Sequence, residues 1–242
     1  MTNRVVVTGG ASGIGKATVA ALTARNADVA VIDHDADLLE ASAQEYSGRP
    51  GHLHLRVDVS NAAEVSAALD SIHAQWGSVD AVVHSAGIMR EQQTDIREIS
   101  LESWQAVINV NLTGSFLVAQ AAARIMIPQQ SGVIILVGSG AGVSGPSGSI
   151  PYGASKAGLN GLVMTLSSHI AKHGVRVINF CPGSVDTPLI NRSLVEGVAR
   201  GGSPEVAAAG RARLVSPDGV GRALALLTTP DAASFRGTLF SE

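Results

Sequence analysis

Ser139, Tyr152 and Lys156 are the side chains of this sequence whose types and spacing carry the most chemistry. Tyr152 and Lys156 stand four apart in Tyr-Gly-Ala-Ser-Lys, and residues at that spacing share one face of a helix, about 6 Å apart. A free phenol ionises near pH 10, so bringing it about 3 units towards neutrality takes roughly 4 kcal/mol of preferential stabilisation of the phenolate. A lysine cation about 4 Å away, at an effective dielectric near 20, supplies about that much. Tyr152 could then serve as a general acid or base near neutral pH, with Ser139, at the end of a predicted strand, hydrogen-bonding a substrate oxygen. The spacing alone fits a surface tyrosine beside a solvated lysine equally well. Only three lysines occur in the chain, which makes Lys156 less easily dismissed as surface decoration.

A second group lies near the N-terminus. Residues 4–8 are a β-branched run, followed by Thr8-Gly-Gly-Ala-Ser-Gly-Ile-Gly15 and an amphipathic stretch over 16–25. This predicts strand, glycine turn and helix, in which glycines let the backbone approach a ligand and the helix start attracts a diphosphate. A second apolar run, 28–32, ends at Asp33, 18 residues beyond Gly15. An acid at that distance accepts hydrogen bonds from the adenosine ribose and repels a 2′-phosphate. His34 is no arginine and Ser12 is not basic, so NAD is favoured over NADP. The plain alternative is a strand-end aspartate capping the helix that begins at 35.

These residues need elements to hold them. The pattern continues with a helix over 36–46, a strand over 53–57 ending in Asp58, and a helix from Asn61, whose Asn61-x-x-Glu64 resembles a capping box. A strand over 79–84 ends in His84-Ser85-Ala86-Gly87, small residues that suit a loop passing under a cofactor. The amphipathic stretch 101–127, behind the N-cap Ser100, contains Asn109-Val-Asn111-Leu-Thr-Gly114. Poor helix formers at its centre mark a kink or a water-holding site. A fifth strand, 132–137, delivers Ser139, and a Gly- and Ser-rich loop, 140–150, leads to a helix over 152–172. A sixth strand, 175–181, runs into Cys-Pro-Gly-Ser-Val-Asp-Thr-Pro188. Residues 188–214, broken by glycines and Pro204, read as a substrate lid, ahead of a helix from Ser216-Pro217 to 227 and a strand over 236–240. Strict alternation implies right-handed crossovers between parallel strands. The expected fold is α/β: a single-domain, doubly wound, Rossmann-like αβα arrangement of residues 1–242 with a mostly parallel seven-stranded sheet, and ligands beyond the strand carboxyl ends.

Composition narrows the function. With 45% hydrophobic residues the chain can bury a large core, and a formal charge of −3 with no basic run argues against nucleic acid as a partner. Cys181 reads as a buried strand thiol, with a catalytic thiol as the minor alternative. No apolar leader and no 18-residue uninterrupted apolar run is present, so a cytoplasmic protein without a membrane partner is expected. His169 and His173 stand four apart without a neighbouring Glu, which favours a surface role and no metal.

Taken in order, Thr8-Gly-Gly-Ala-Ser-Gly-Ile-Gly15, Asp58, Ser85-Ala-Gly87, Asn111, Ser139, Tyr152-x-x-x-Lys156 and Pro182-Gly183 resemble the short-chain dehydrogenase/reductase family along almost the whole chain. The resemblance implies an NAD-dependent oxidoreductase moving hydride between the nicotinamide and a secondary alcohol or ketone. It implies a catalytic set of Asn111, Ser139, Tyr152 and Lys156, with Asn111 holding a relay water and Lys156 also gripping the nicotinamide ribose. It assigns Gly9, Ser12, Gly13, Ile14 and Gly15 to the diphosphate, Asp33 to the ribose, Asp58 and Val59 to the adenine, and Val185 and Thr187 to the carboxamide. Ser85, Ala86, Gly87, Pro182 and Gly183 would lie beside the cofactor. A homo-oligomer, a tetramer before a dimer, would pair through the helices holding Asn111 and Tyr152. Two departures stand out: His84-Ser85 replaces the usual Asn-Asn, and the sequence ends at Phe240-Ser-Glu242, short of the usual Asp-Gly-Gly tail. Other uses of the same residues are an NAD-retaining isomerase, epimerase or dehydratase, and a silent NAD-binding regulator. The substrate rim falls in loops 88–98, 140–150 and 188–214, whose mixed composition fits many small carbonyls.

Overall fold

The structure, a computed structural model, describes residues 2–241; Met1 and Glu242, at the chain ends considered above, lie outside it. The β-branched runs become β1 (Arg4–Thr8), β2 (Asp28–Asp33), β3 (Leu53–Arg56), β4 (Ala81–His84), β5 (Gly132–Val137), β6 (Val175–Cys181) and β7 (Gly237–Phe240). All belong to one sheet, ordered β3-β2-β1-β4-β5-β6-β7, and every pairing is parallel. The strand order turns back between β1 and β4, the place where such sheets open a crevice at their carboxyl edge.

Central strands are apolar without a break because both faces are covered. Val6, Ala30, Val82, Ile134 and Val177 point to one side, and Val5, Val31, Val83, Ile135 and Ile178 to the other. The first side packs against α3 (Ala62–Trp76), α5 (Gly114–Gln129) and α6 (Ile150–Ile170), and α4 (Leu101–Ile108) packs on α6. The second packs against α1 (Gly13–Ala24), α2 (Ala36–Glu45) and α9 (Pro217–Leu227).

Four local results bear on the site. First, α6 begins at Ile150, because Ser149 Oγ accepts from Tyr152 N (3.3 Å) and Pro151 suits the first turn, so Tyr152 rides on the opening turn. Second, the interruption expected in 101–127 is a π-helical turn, Asn109–Thr113, between α4 and α5. The Leu101–Gln129 stretch is long and apolar enough, at mean hydropathy 1.3, to cross a membrane by length and composition alone; here it packs against α3, α6 and the sheet. Third, 188–214 is more regular than expected. It forms α7 (Pro188–Ala199) and α8 (Pro204–Ala212), capped by Thr187 and Ser203 with proline in each first turn, and Gly201-Gly202 separates them. Fourth, Asn61 caps α3 through the N–H groups of Ala63 and Glu64, but Glu64 accepts from Asp58 N (2.8 Å) and Asn61 Nδ2 (2.8 Å), so the expected capping box closes one turn earlier.

Candidate active site

A cavity of about 720 Å³ opens at the carboxyl edge of the sheet. Its first end is built on the β1–α1 turn, where Gly9, Ser12, Gly13 and Ile14 line the wall. Gly9 has φ +63°, and a β-carbon there would lie 2.8 Å from the Ala86 backbone, so only glycine lets the two turns approach. Gly15 is buried beneath the turn and does not face the cavity; a β-carbon on it would overlap the Gly9 carbonyl oxygen. The N-cap Ser12 makes no side-chain capping bond and α1 has no acid in its first turn, so its N–H groups are left for an anion.

Asp33, 6% exposed, ends β2 beside this turn. Its Oδ2 accepts from Ala11 N (3.1 Å) and its Oδ1 from His34 N (2.8 Å) and Asp35 N (3.2 Å), which fix the carboxylate at the cavity wall. The capping alternative falls to Asp35, which accepts from Asp37 N and Leu38 N. One cation was not foreseen: Arg56 pairs with Asp33 in the β2–β3 register and its Nε donates to the His34 carbonyl (3.2 Å), outside the cavity lining. Asp58 and Val59 complete this end, and hydrogen bonds from Ser60 hold the Asp58 carboxyl below the usual carboxylate range. The uncapped helix, the glycine cradle and the fixed carboxylate fit a dinucleotide.

Ser139, Tyr152 and Lys156 meet on the wall of the same cavity, which Gly87, Pro182, Gly183 and Val185 also line, while Ser85, Ala86 and Thr187 reach the glycine turn, where β-carbons on Gly9 and Gly13 would lie 2.8 Å from Ala86 and 3.2 Å from Thr187. Lys156, 5% exposed, donates from Nζ to the Val137 carbonyl (2.8 Å), and Nζ lies 5.6 Å from the centre of the Tyr152 ring. Burial lowers the lysine to about 8. Burial also raises the Tyr152 phenol, while the Ser139 hydroxyl pulls it down. The downward shift expected from the Lys156 charge is therefore not produced by the protein's own groups, because the Coulomb argument omitted the desolvation of both side chains.

Asn111 lies in the π-turn and is fully buried, off the cavity wall. Its Oδ1 accepts from Ile88 N (2.8 Å), and its Nδ2 donates to Ile88 O (2.9 Å) and Ser155 Oγ (3.1 Å). The side chain thus ties the loop after β4 to α6. Asn111 Oδ1 and Lys156 Nζ flank Gly87, since a β-carbon there would lie 3.4 Å from the one and 3.8 Å from the other. The Cys181 thiol is buried and raised by desolvation, as a strand thiol should be.

Residues 3–196 match the profile of the short chain dehydrogenase family. The chain belongs to that family. As a short chain dehydrogenase it is an oxidoreductase acting on CH–OH or C=O groups with a nicotinamide cofactor. It is 35% identical to a 3-oxoacyl-[acyl-carrier-protein] reductase of Synechocystis sp. over 88% of each chain. It is 37% identical to a cis-4-hydroxycyclohexanecarboxylate dehydrogenase of Sinomonas cyclohexanicum, covering 95% of this chain and 90% of that one. The crystal structure of levodione reductase superposes with a TM-score of 0.90 at 27% identity, covering 99% of this chain and 96% of that one. The loops expected to form the substrate rim, 88–98 and 188–214, supply side chains to the cavity wall that the sequence did not single out one by one. Arg90 and Gln92 follow β4, and Leu189, Ile190 and Ser193 come from α7. The Thr187-Pro188 cap with Leu189 and Ser193 four apart was the available signal.

Proposed function

We propose that the protein is an NAD-dependent oxidoreductase that interconverts a secondary alcohol and its ketone, with Tyr152 as the acid–base group. The observation that carries this reading is one cavity with Ser139, Tyr152 and Lys156 at one end and the buried Asp33 carboxylate at the other. When bound, the nicotinamide supplies the hydride acceptor or donor and, oxidised, a positive charge. In alcohol oxidation Ser139 Oγ holds the substrate oxygen, and the Tyr152 phenolate takes its proton as the C–H hydride leaves. In reduction the phenol returns that proton. Lys156 contributes a cation that favours the phenolate and an N–H donor for the ribose. Asn111 fixes the loop that carries Ile88, and its placement with Lys156 around Gly87 suits a proton relay. Asp33 receives the adenosine ribose, Asp58 and Val59 the adenine, and Val185 and Thr187 the carboxamide. Residues 188–214 form the lid over the substrate, within a single domain of residues 1–242. The protein works in the cytoplasm as a homo-oligomer.

NAD should be preferred because a 2′-phosphate would face the Asp33 carboxylate, while Arg56 is engaged with the His34 carbonyl. A panel of secondary alcohols assayed with each cofactor, following reduced nicotinamide, is the test. Higher kcat/KM with NAD is expected, and Asp33→Ala should narrow the ratio about tenfold, roughly 1.4 kcal/mol. Faster turnover with NADP would overturn the preference.

A further inference from the structure

His84 is where the sequence departs from the family pattern, and its environment is unusual. The side chain is 2% exposed, at the carboxyl end of β4, on the sheet face that packs against α6. Its Nδ1 lies 2.7 Å from Thr8 Oγ1 on β1, whereas its Nε2 is buried without a hydrogen-bond partner. β4 runs between β1 and β5, so His84 stands opposite Thr8 on one side and Leu136 on the other. The two ring nitrogens point away from each other. With Nδ1 turned to β1, Nε2 is directed away from it, and the next residue on β5, Val137, carries the carbonyl that receives Lys156 Nζ. A lysine ammonium has three N–H donors, and Val137 takes one.

We propose that His84 is a positioning residue for the reaction: anchored to Thr8 through Nδ1 and carrying its proton there, it turns the Nε2 lone pair towards the Lys156 ammonium and keeps that charge beside Tyr152. The inference rests on the roles of Tyr152 and Lys156 given above. The opposite tautomer would aim an N–H at a cation that already carries donors, which is electrostatically unfavourable. Burial and the Lys156 charge push His84 down to about 3, so the ring stays neutral and its lone pair available throughout the working range. Lys156 itself is lowered to about 8 by burial, which an acceptor at Nε2 opposes. The other ionisable groups facing this pair are Tyr152 on α6 and the Cys181 thiol from β6; Asn111, Ser139 and Ser155 are neutral.

Lysine labelled at Cε gives a direct test, since the chain has only Lys16, Lys156 and Lys172. Carbon NMR over a pH series follows the Lys156 ionisation with no substrate and no turnover, so its outcome is independent of whether the oxidoreductase reading holds. His84→Leu, which removes the lone pair, should move the Lys156 midpoint down by about one unit, a tenfold smaller charged fraction above the midpoint. His84→Asn, which restores an acceptor, should return it close to the parent value. A purely structural role would lower thermal stability and leave the midpoint unmoved, and that result in a folded His84→Leu protein would overturn the proposal. Nitrogen NMR of the unmodified protein serves if the leucine variant does not fold. A neutral Nδ1–H imidazole from pH 5 to 8 is expected, and an Nε2–H tautomer or a titration in that range would contradict it.

Discussion

Tyr152 and Lys156 are both nearly buried, and that fact shapes what each can do. Burial alone makes the phenol a weaker acid and the ammonium a stronger one. The pair becomes useful only when positive charge and hydrogen bonds gather around the phenolate, and Ser139 is the donor already in place. Lys156→Ala should therefore lose turnover and NAD affinity together, because one change removes the cation and a ribose contact; kcat should fall by at least about 100-fold, within the range of a general acid–base group. Steady-state kinetics with NAD titration checks this, and a variant with parent affinity would remove Lys156 from the cofactor site. The sequence made these residues legible through type and spacing, since residues four apart share a helix face. It did not carry the cost of burying them, nor the approach of Arg56 to the edge beside Asp33, because both arise from packing between distant segments.

At the scale of elements, the site is a set of strand ends and helix starts. The uncapped α1 is open to an anion, whereas α2, α3, α4, α6, α7, α8 and α9 each carry a side-chain cap. That contrast rests on Ser12, a residue able to cap whose hydroxyl does not. Residues 188–214 are tied to the loop after β4 by an ion pair. Arg200, just beyond α7, pairs with Glu91 (3.1 Å) in the loop after β4 and with Glu196 (3.1 Å). Glu91 and Gln93 hold positive φ in that loop, and Gln93 N bonds Gly148 O (2.8 Å), so three rim segments meet there. Arg200→Ala should raise the substrate KM about threefold to fivefold with NAD affinity kept, as suits a part-exposed ion pair of up to about 1 kcal/mol. Unchanged KM would mean that α7 is held by packing alone. The strands and most helices were legible because apolar periodicity and caps agree. The segment 188–214 was misjudged because its glycines outweighed its two Ser/Thr-Pro caps, although Gly197 sits buried inside α7 rather than ending it.

At the scale of the molecule, the outer face of α5 and α6 carries a shallow apolar groove lined by Phe116, Ala119, Ala123, Ile127 and Leu166, with Phe116 and Met164 exposed. A second copy covering this face would bury that surface, in line with the expected pairing of these helices. Light scattering at micromolar concentration should therefore give a multiple of 24.7 kDa, and a single-chain mass would refute the assembly. The groove was visible in the sequence only as Ala- and Leu-rich stretches, since apolar periodicity does not separate a face against the sheet from a face against another subunit. The central claim is that Tyr152 moves the proton while the rest of the cavity holds the dinucleotide, and one comparison tests it most directly: turnover and NAD binding of Tyr152→Phe against the parent across a pH series. Parent alcohol oxidation should rise with pH through the phenol ionisation and level off. The variant should bind NAD as the parent does and lose kcat by about 100-fold to 10,000-fold at every pH. A variant that turned over near the parent rate would contradict the assignment and leave Ser139 or a bound water to carry the proton.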